Sequence, residues 1–183
     1  KGLPIVPTKI LDSNSRLDES KQTQFHSEFY TDTPSDYILK PINFGEKGNA
    51  VRKLSSFKTE KEFRKFTDET KPLIIQPYLP EIEISGENSL AFLGKEFSHS
   101  VNKYNGDFLI NWTKENPTSY KIHSPTKEEI DISKKVLNVW PYKLGYSRID
   151  LIYHDGKPFV SEVEVVNPSL YVENILEIVP AFT

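Results

Sequence analysis

A chain of 183 residues, 37% of them hydrophobic and 27% charged, has the make-up of a soluble globular protein, and its length suits one ordinary domain or two small lobes. A formal net charge of −3 excludes a polybasic surface for nucleic acid, and the absence of cysteine excludes a disulfide framework and thiolate metal sites. No apolar run is long enough to span a membrane and no secretory leader opens the chain, so neither nucleic acid nor membrane is expected as a partner.

Methionine is absent even at residue 1, and the expectation is a segment of a longer chain. The stretch "GLPIVPT" (2–8) reads as a short apolar strand closed by proline. Residues 12–35 are polar, with one helix expected over Glu19–Tyr30. "DYILKPI" (36–42) reads as a strand, "NFGEKGN" (43–49) as a loop and "AVRKL" (50–54) as a returning strand. "KTEKEFRKFTDE" (58–69) has the spacing of an amphipathic helix, with Phe57, Phe63 and Phe66 on one side. "PLIIQPYLP" (72–80) reads as a buried strand ending in a proline-rich turn. Residues 81–103 read as two or three short strands joined at Gly86 and Gly94, and "DFLINW" (107–112) as another. "TKEEIDISKKVLNVW" (126–140) is a helix with acidic residues early and lysines later, as the helix dipole prefers. "YSRIDLIYHDGKPFVSEVEVV" (146–166) is a hairpin. Strands followed by helices in two batches predict an α+β protein of two lobes, divided near residues 76–80.

The hairpin carries the first candidate site. Glu162 and Glu164 are two residues apart, so on a strand they share a face. A two-residue Asp155-Gly156 turn would pair His154 with Lys157 and turn Asp150 away from the glutamates. A three-residue loop with Gly156 in a bulge would pair Tyr153 with Lys157 instead. Ile149, Leu151, Tyr153, Phe159, Val163 and Val165 would then share one face, and Arg148, Asp150, Glu162 and Glu164 the other. The second register separates apolar from polar residues better, so it is the expected one. Three carboxylates on rigid strands form an all-oxygen set that suits Mg²⁺ or Mn²⁺, while a solvated sheet face partly neutralised by Arg148 is the alternative.

A second candidate is "YILKPINFGEKGNAV". Lys40 closes an otherwise apolar strand, a costly place for a cation without an anionic partner. Gly45 and Gly48 follow, and glycines let backbone N–H groups approach phosphate oxygens. The motif is not a Walker loop, because no G-x-x-x-x-G-K-[ST] occurs.

At this point the chain resembles the ATP-grasp superfamily, on the side of the prokaryotic glutathione synthetase-like ATP-binding domains. The resemblance is carried in order by "DYILKPINFGEKGNAV", "LIIQPYLPEIEISGENSLAFLGKEFSHSVNK" and "YSRIDLIYHDGKPFVSEVEVVNPSLY". The last two are similar to a subgroup that includes the cyclo-ligase of D-cycloserine biosynthesis. The resemblance implies an α+β ATP-grasp fold, two lobes with antiparallel sheets enclosing a nucleotide cleft, without the family's N-terminal domain. It implies a linker over 1–29, a small lobe or lid over 30–75, and a large lobe with the metal site over 76–183. The implied activity is that of an ATP-dependent carboxylate–amine ligase acting through an acyl phosphate. The alternative is a nucleotide-binding module with weak or no ligase activity.

Carried over by position, Lys40 would contact ATP phosphates, and Gly45, Lys47, Gly48 and Asn49 would close over them. Gln76, Pro77, Tyr78 and Leu79 would hold adenine, and Glu87 the ribose hydroxyls. Asp150, Glu162 and Glu164 would hold Mg²⁺ or Mn²⁺. Lys40, Lys103 and Arg148 are the candidate catalytic cations. The implied partners are small-molecule carboxylate and amine substrates, with oligomeric state left open, in a cytoplasmic setting. The chain departs from the family pattern at Leu109, where an arginine that stabilises the transferring phosphoryl group is usual. Lys103 and Lys114 are the candidates to replace it. Asn167 stands where the subgroup often has glutamate. His99 is expected as a structural hydrogen-bonder and His154 as an exposed residue beside the turn.

Overall fold

The computed structural model describes residues 2–11, 36–42, 51–70, 72–104 and 119–172. The expected helix Glu19–Tyr30, the loop residues Gly45, Lys47, Gly48 and Asn49, the strand at 107–112 with Leu109, and Lys114 lie outside them. The chain divides into two compact units. Of the described residues, Val6–Leu79 form one unit, and residues 2–5 with those from Pro80 onward form the other.

The first unit is built on a four-stranded antiparallel sheet. Its strands are β1 (Lys9–Leu11), β2 (Tyr37–Pro41), β3 (Arg52–Lys53) and β4 (Leu73–Pro77), in the order β1-β4-β2-β3. Alternation along β2 buries Tyr37 and Leu39 with Leu11, Leu73 and Ile75. Helix α1 (Glu60–Thr70) covers that face, with Phe57, Phe63 and Phe66 packed against this core. The Phe57 and Phe63 rings meet edge to face at 5.4 Å, and the Arg52 guanidinium caps Phe57 at 4.2 Å. The expected strand over 50–54 shrinks to Arg52–Lys53, because a 3₁₀ turn, Leu54–Ser56, begins at once. Asp36 fixes that turn by accepting from the Ser55 backbone and hydroxyl. The unit boundary falls after Leu79, within the expected division near residues 76–80; β4 pairs along its whole length with β2, and the Tyr78 N–H just beyond it donates to Asp36 O.

The second unit is a five-stranded antiparallel sheet, β7-β6-β5-β8-β9. Its strands are β5 (Glu87–Leu93), β6 (Glu96–Tyr104), β7 (Ser119–Ile122), β8 (Tyr146–His154) and β9 (Lys157–Glu164). The strand expected to open this unit is a one-turn helix, α2 (Ile82–Ser85), whose carbonyl at Ile82 accepts from Gly86 N–H. Gly86 has φ 72°, and a Cβ there would run into the backbone carbonyl of Lys103. Residues 2–5 belong to this unit. They lie along β9, where Val160 N–H donates to Pro4 O at 2.8 Å, and so cover part of an edge strand.

Helix α3 (Lys127–Val139) packs on one face of this sheet. Ile132, Val136 and Leu137 meet Leu90, Phe92, Ile149, Leu151 and Val160 in the core. "TKEE" sets its start as a capping box: Thr126 Oγ1 accepts from Glu129 N–H at 3.2 Å, and Glu129 Oε2 accepts from Thr126 N–H at 2.6 Å. Glu129 is fully buried, and it also accepts from Asn88 Nδ2 at 2.7 Å and lies 3.1 Å from His123 Nε2. Burial pushes its carboxyl up, but the hydrogen bonds from His123, Thr126 and Asn88 outweigh burial and bring it down to about 2. A depressed folded value means stability that is present above the ordinary 4.5 and is lost as pH falls toward about 2. The melting-temperature gap between wild type and Glu129→Gln is therefore expected to be widest near neutral pH and to close across that acid window. A gap that does not vary with pH would take the charge out of this account.

Candidate active site

The face of the five-stranded sheet opposite α3 carries the polar cluster. It arises from the β8–β9 hairpin in a way the sequence did not suggest. The hairpin closes as a two-residue turn with His154 opposite Lys157, not as the expected three-residue loop. Asp155 and Gly156 both have positive φ, 51° and 72°, as such a turn requires. The register is reset farther along, where Leu151 pairs with Val160 but Asp150 pairs with Glu162. Ser161 is thus the extra residue of a β-bulge. Its hydroxyl donates to Glu87 Oε1 at 2.6 Å and lies 3.1 Å from Asp150 O. One correction to the expected faces follows: Val160, not Phe159, joins the core, and Phe159 sits opposite Ile152 with its ring near His154. Asp150, Glu162 and Glu164 still meet, with ligand oxygens all within 4.8 Å of one another.

Asp150 is the buried centre of the cluster. Arg148 grips it with two bonds, Nε to Oδ1 and Nη2 to Oδ2, each 2.8 Å. Lys103 Nζ reaches Asp150 Oδ2 at 3.0 Å and Glu87 Oε2 at 2.6 Å. Burial alone would raise the Asp150 carboxyl, but Lys103 and Arg148 hold it below its ordinary range. Burial would likewise strip the proton from Lys103, yet Asp150 and Glu87 keep it charged well beyond its usual range. Arg148 Nη2 also meets Glu164 Oε1 at 2.5 Å and lies 3.7 Å from Glu162 Oε2.

Glu162 is the member least served by cations, and its side chain is 52% exposed. Burial first, then Asp150, Glu87 and Glu164, push its carboxyl up to about 7. The donor set therefore fits a divalent cation: hard oxygens, closely spaced, with like charge left uncompensated. Asp150 enters such a set with both oxygens already held by Arg148 and Lys103, so Glu162 and Glu164 offer the freer ligands.

Sequence reasoning did not foresee the strap that crosses this face. Arg148 Nη1 donates to Ser169 O at 3.1 Å, and His99 Nε2 lies 2.6 Å from Leu170 O. His99 thus serves as a hydrogen-bonder, with Ser98 Oγ 3.0 Å from Nδ1. Tyr171, at φ 55°, lays its ring 5.4 Å from the Arg148 guanidinium and 5.9 Å from Lys103 Nζ, and 5.1 Å from the Tyr120 ring. The signal was a lone tyrosine after "NPSL", which says nothing of its partners. His154, expected to be merely exposed, lies 3.0 Å from Glu81 Oε1 through Nδ1.

The other candidates fall in the first unit or the core of the second. Lys40 stands on β2 opposite Ile74, on the sheet face away from α1. Gln76, on β4 opposite Ile38, is buried, and its Nε2 donates to Thr8 Oγ1 at 2.9 Å. Pro77, Tyr78 and Leu79 follow it and are buried. Lys53 Nζ lies over the Tyr78 ring at 3.8 Å. Glu87 is buried with its two oxygens engaged by Lys103 and Ser161.

The two units, each built on an antiparallel sheet, match the ATP-grasp fold of solved structures. The D-cycloserine synthetase DcsG superposes with a TM-score of 0.69 at 20% identity, over 94% of this chain and 60% of that one. The ATP-grasp ligase PsnB, complexed with a phosphomimetic precursor variant, Mg and ADP, gives 0.63 at 16% identity, over 94% and 48%. A D-alanine–D-alanine ligase from Bacillus anthracis complexed with ATP gives 0.59 at 15%, over 90% and 51%. The chain thus spans about half to three-fifths of the length of these proteins. No family model and no curated protein matches it.

The raised Glu162 carboxyl makes a signed prediction. A folded value of about 7 against an ordinary 4.5 means that the protein loses stability as pH rises through this window. In metal-free buffer Glu162→Gln should leave the melting temperature unchanged at the acid end and raise it by about 1–3 °C at the alkaline end. Lowered stability throughout would show that the Glu162 charge is not crowded.

Proposed function

We propose that this chain is the ATP-binding part of a ligase that uses ATP to join a carboxylate to an amine through an acyl phosphate. The observation that carries the reading is the meeting of Asp150, Glu162 and Glu164 on one sheet face of a chain with this fold. An all-oxygen set of this kind suits Mg²⁺ or Mn²⁺ shared with phosphate oxygens. When bound, the ion would offset phosphate charge and act as a Lewis acid.

The residues of the chain supply the rest. Glu162 and Glu164 present the accessible oxygens, and Asp150 bonds Arg148 beside them. Lys40 would meet phosphate as a point charge, and the loop residues Gly45, Lys47, Gly48 and Asn49 would enclose it. Gln76 and the backbone of Pro77, Tyr78 and Leu79 would read adenine, and Glu87 the ribose, at the cost of one of its present bonds. The substrates would be a small-molecule carboxylate and an amine, in the cytoplasm where ATP is abundant.

A second reading, nucleotide binding with little or no ligase turnover, is favoured by two observations. By the resemblance, Leu109 stands where an arginine is usual. Lys103, a candidate to replace it, is buried between Glu87 and Asp150 rather than extended toward a ligand. An arginine that stabilises a transferring phosphoryl group is worth about 10³–10⁵ in rate. ADP release assayed with the full-length protein against a panel of amino acids separates the readings: turnover with any pair establishes the ligase, and tight Mg²⁺-ADP binding without turnover establishes the module.

Lys40→Ala is expected to weaken Mg²⁺-ADP binding by about tenfold or more, the scale of one charge-assisted hydrogen bond, with little change in melting temperature. Unchanged affinity in calorimetry removes Lys40 from the site. Glu162→Gln, neutral or stabilising without metal, is expected to weaken Mg²⁺-ADP binding. Equal affinity in wild type and variant would defeat the metal assignment at that residue.

A further inference from the structure

One atom lies among all three carboxylates. Nη2 of Arg148 is 2.5 Å from Glu164 Oε1, 2.8 Å from Asp150 Oδ2 and 3.7 Å from Glu162 Oε2. Those are the three groups whose oxygens come within 4.8 Å of one another. A divalent ion held by the same oxygens needs them at about 2.0–2.6 Å, and so needs the space that this nitrogen fills. Guanidinium and metal cannot both stand there.

We propose that Arg148 is the resident cation of the carboxylate cluster and that a divalent ion binds by exchange with it. The inference rests on the metal site read above. In the metal-free protein Arg148 neutralises Asp150 and Glu164 and leaves Glu162, the most exposed of the three, as the side on which an ion first finds a ligand. As the ion takes the carboxylate oxygens, Nη2 gives up its bonds to Glu164 and Asp150. The guanidinium is not lost to solvent, because Nη1 is held by the Ser169 carbonyl and the group lies near the Tyr171 ring. Metal loading therefore sets where the Arg148 charge points. A cation held against carboxylates becomes available to an anionic ligand only once an ion has taken its place. Lys103 does not play this part: its Nζ binds Asp150 and Glu87.

The test is calorimetric titration of Mg²⁺ and of Mn²⁺, without nucleotide, into wild type, Arg148→Gln and Lys103→Gln at fixed ionic strength. Each variant removes one positive charge beside Asp150, but only the first empties the space among the three carboxylates. Exchange predicts that Arg148→Gln binds metal about tenfold or more tightly than wild type, the scale of one unit charge at this range, and more tightly than Lys103→Gln. Arg148→Gln binding no more tightly than wild type, or no more tightly than Lys103→Gln, overturns the exchange and leaves the metal site standing. If none of the three proteins binds either ion, the metal site fails and the exchange with it. Arg148→Gln leaves a buried carboxylate with one partner fewer, so wild type supplies an independent measurement. The Nε–H of Arg148, which donates to Asp150 at 2.8 Å, is followed by ¹H–¹⁵N spectroscopy during Mg²⁺ titration. Its resonance should shift and its exchange with solvent accelerate as the site fills. A resonance unmoved at metal saturation overturns the proposal.

Discussion

Asp150 is the constraint on which the polar half of the second unit depends. A carboxylate with no exposure is costly to bury unless charge and hydrogen bonds surround it. Here the neutralising groups come from two different strands, Arg148 on β8 and Lys103 on β6. Glu87 on β5 then binds Lys103, and Glu164 on β9 binds Arg148. One buried charge thereby ties four of the five strands across a single sheet face. Removing either cation leaves buried Asp150 with a single cationic partner; a buried charge left with none typically costs about 3–5 kcal/mol, whereas the pairs themselves contribute far less than that. The network is therefore better understood as something that fixes geometry than as a source of stability.

That geometry depends on one extra residue. With a two-residue turn and no bulge, Asp150 would face Ser161 and the glutamates would point into the core side. The bulge at Ser161 turns Glu162 and Glu164 back to the polar face, and the Ser161 hydroxyl then bonds Glu87 and approaches Asp150 O. Pairing of the N-terminal residues with Val160 covers the edge of β9 beside that irregularity. Local irregularity and site chemistry are thus the same feature seen from two sides.

Much of this was legible in the sequence where one periodicity holds throughout an element. The strand at 37–41, the phenylalanine face of α1 and the capped start of α3 at Thr126 all follow from spacing and end signals. The carboxylate face was read correctly for a mistaken reason. The Asp155-Gly156 turn is the two-residue kind that this dipeptide favours, and the phase change lies elsewhere. Its trace in the sequence is the spacing of Val160 and Val163, three apart and both turned toward the core, where an unbroken strand requires an even interval. The pairing of Lys103 with Asp150 was not legible, because 47 residues separate them and only the register of β5 between β6 and β8 brings them together. Nor could a strap bonded through the Ser169 and Leu170 carbonyls be read from side chains, since backbone acceptors are the same at every position.

The cluster also explains why its balance of charge is incomplete. Four carboxylates, Glu87, Asp150, Glu162 and Glu164, face two cations, Lys103 and Arg148. A protein selected only for stability would remove the surplus, because a glutamine at 162 keeps the shape without the repulsion. The surplus falls on the more exposed member, whose carboxyl is lifted to about 7 by burial first and then by the neighbouring carboxylates, and not on the buried one, which is fully paired. Weakly paired charge placed where solvent can reach it costs less than the same charge in the interior, so the surplus sits where it is best tolerated. The buried pairs keep the face assembled, and on the proposed reading exposed Glu162 and half-buried Glu164 are the members through which it would accept an ion.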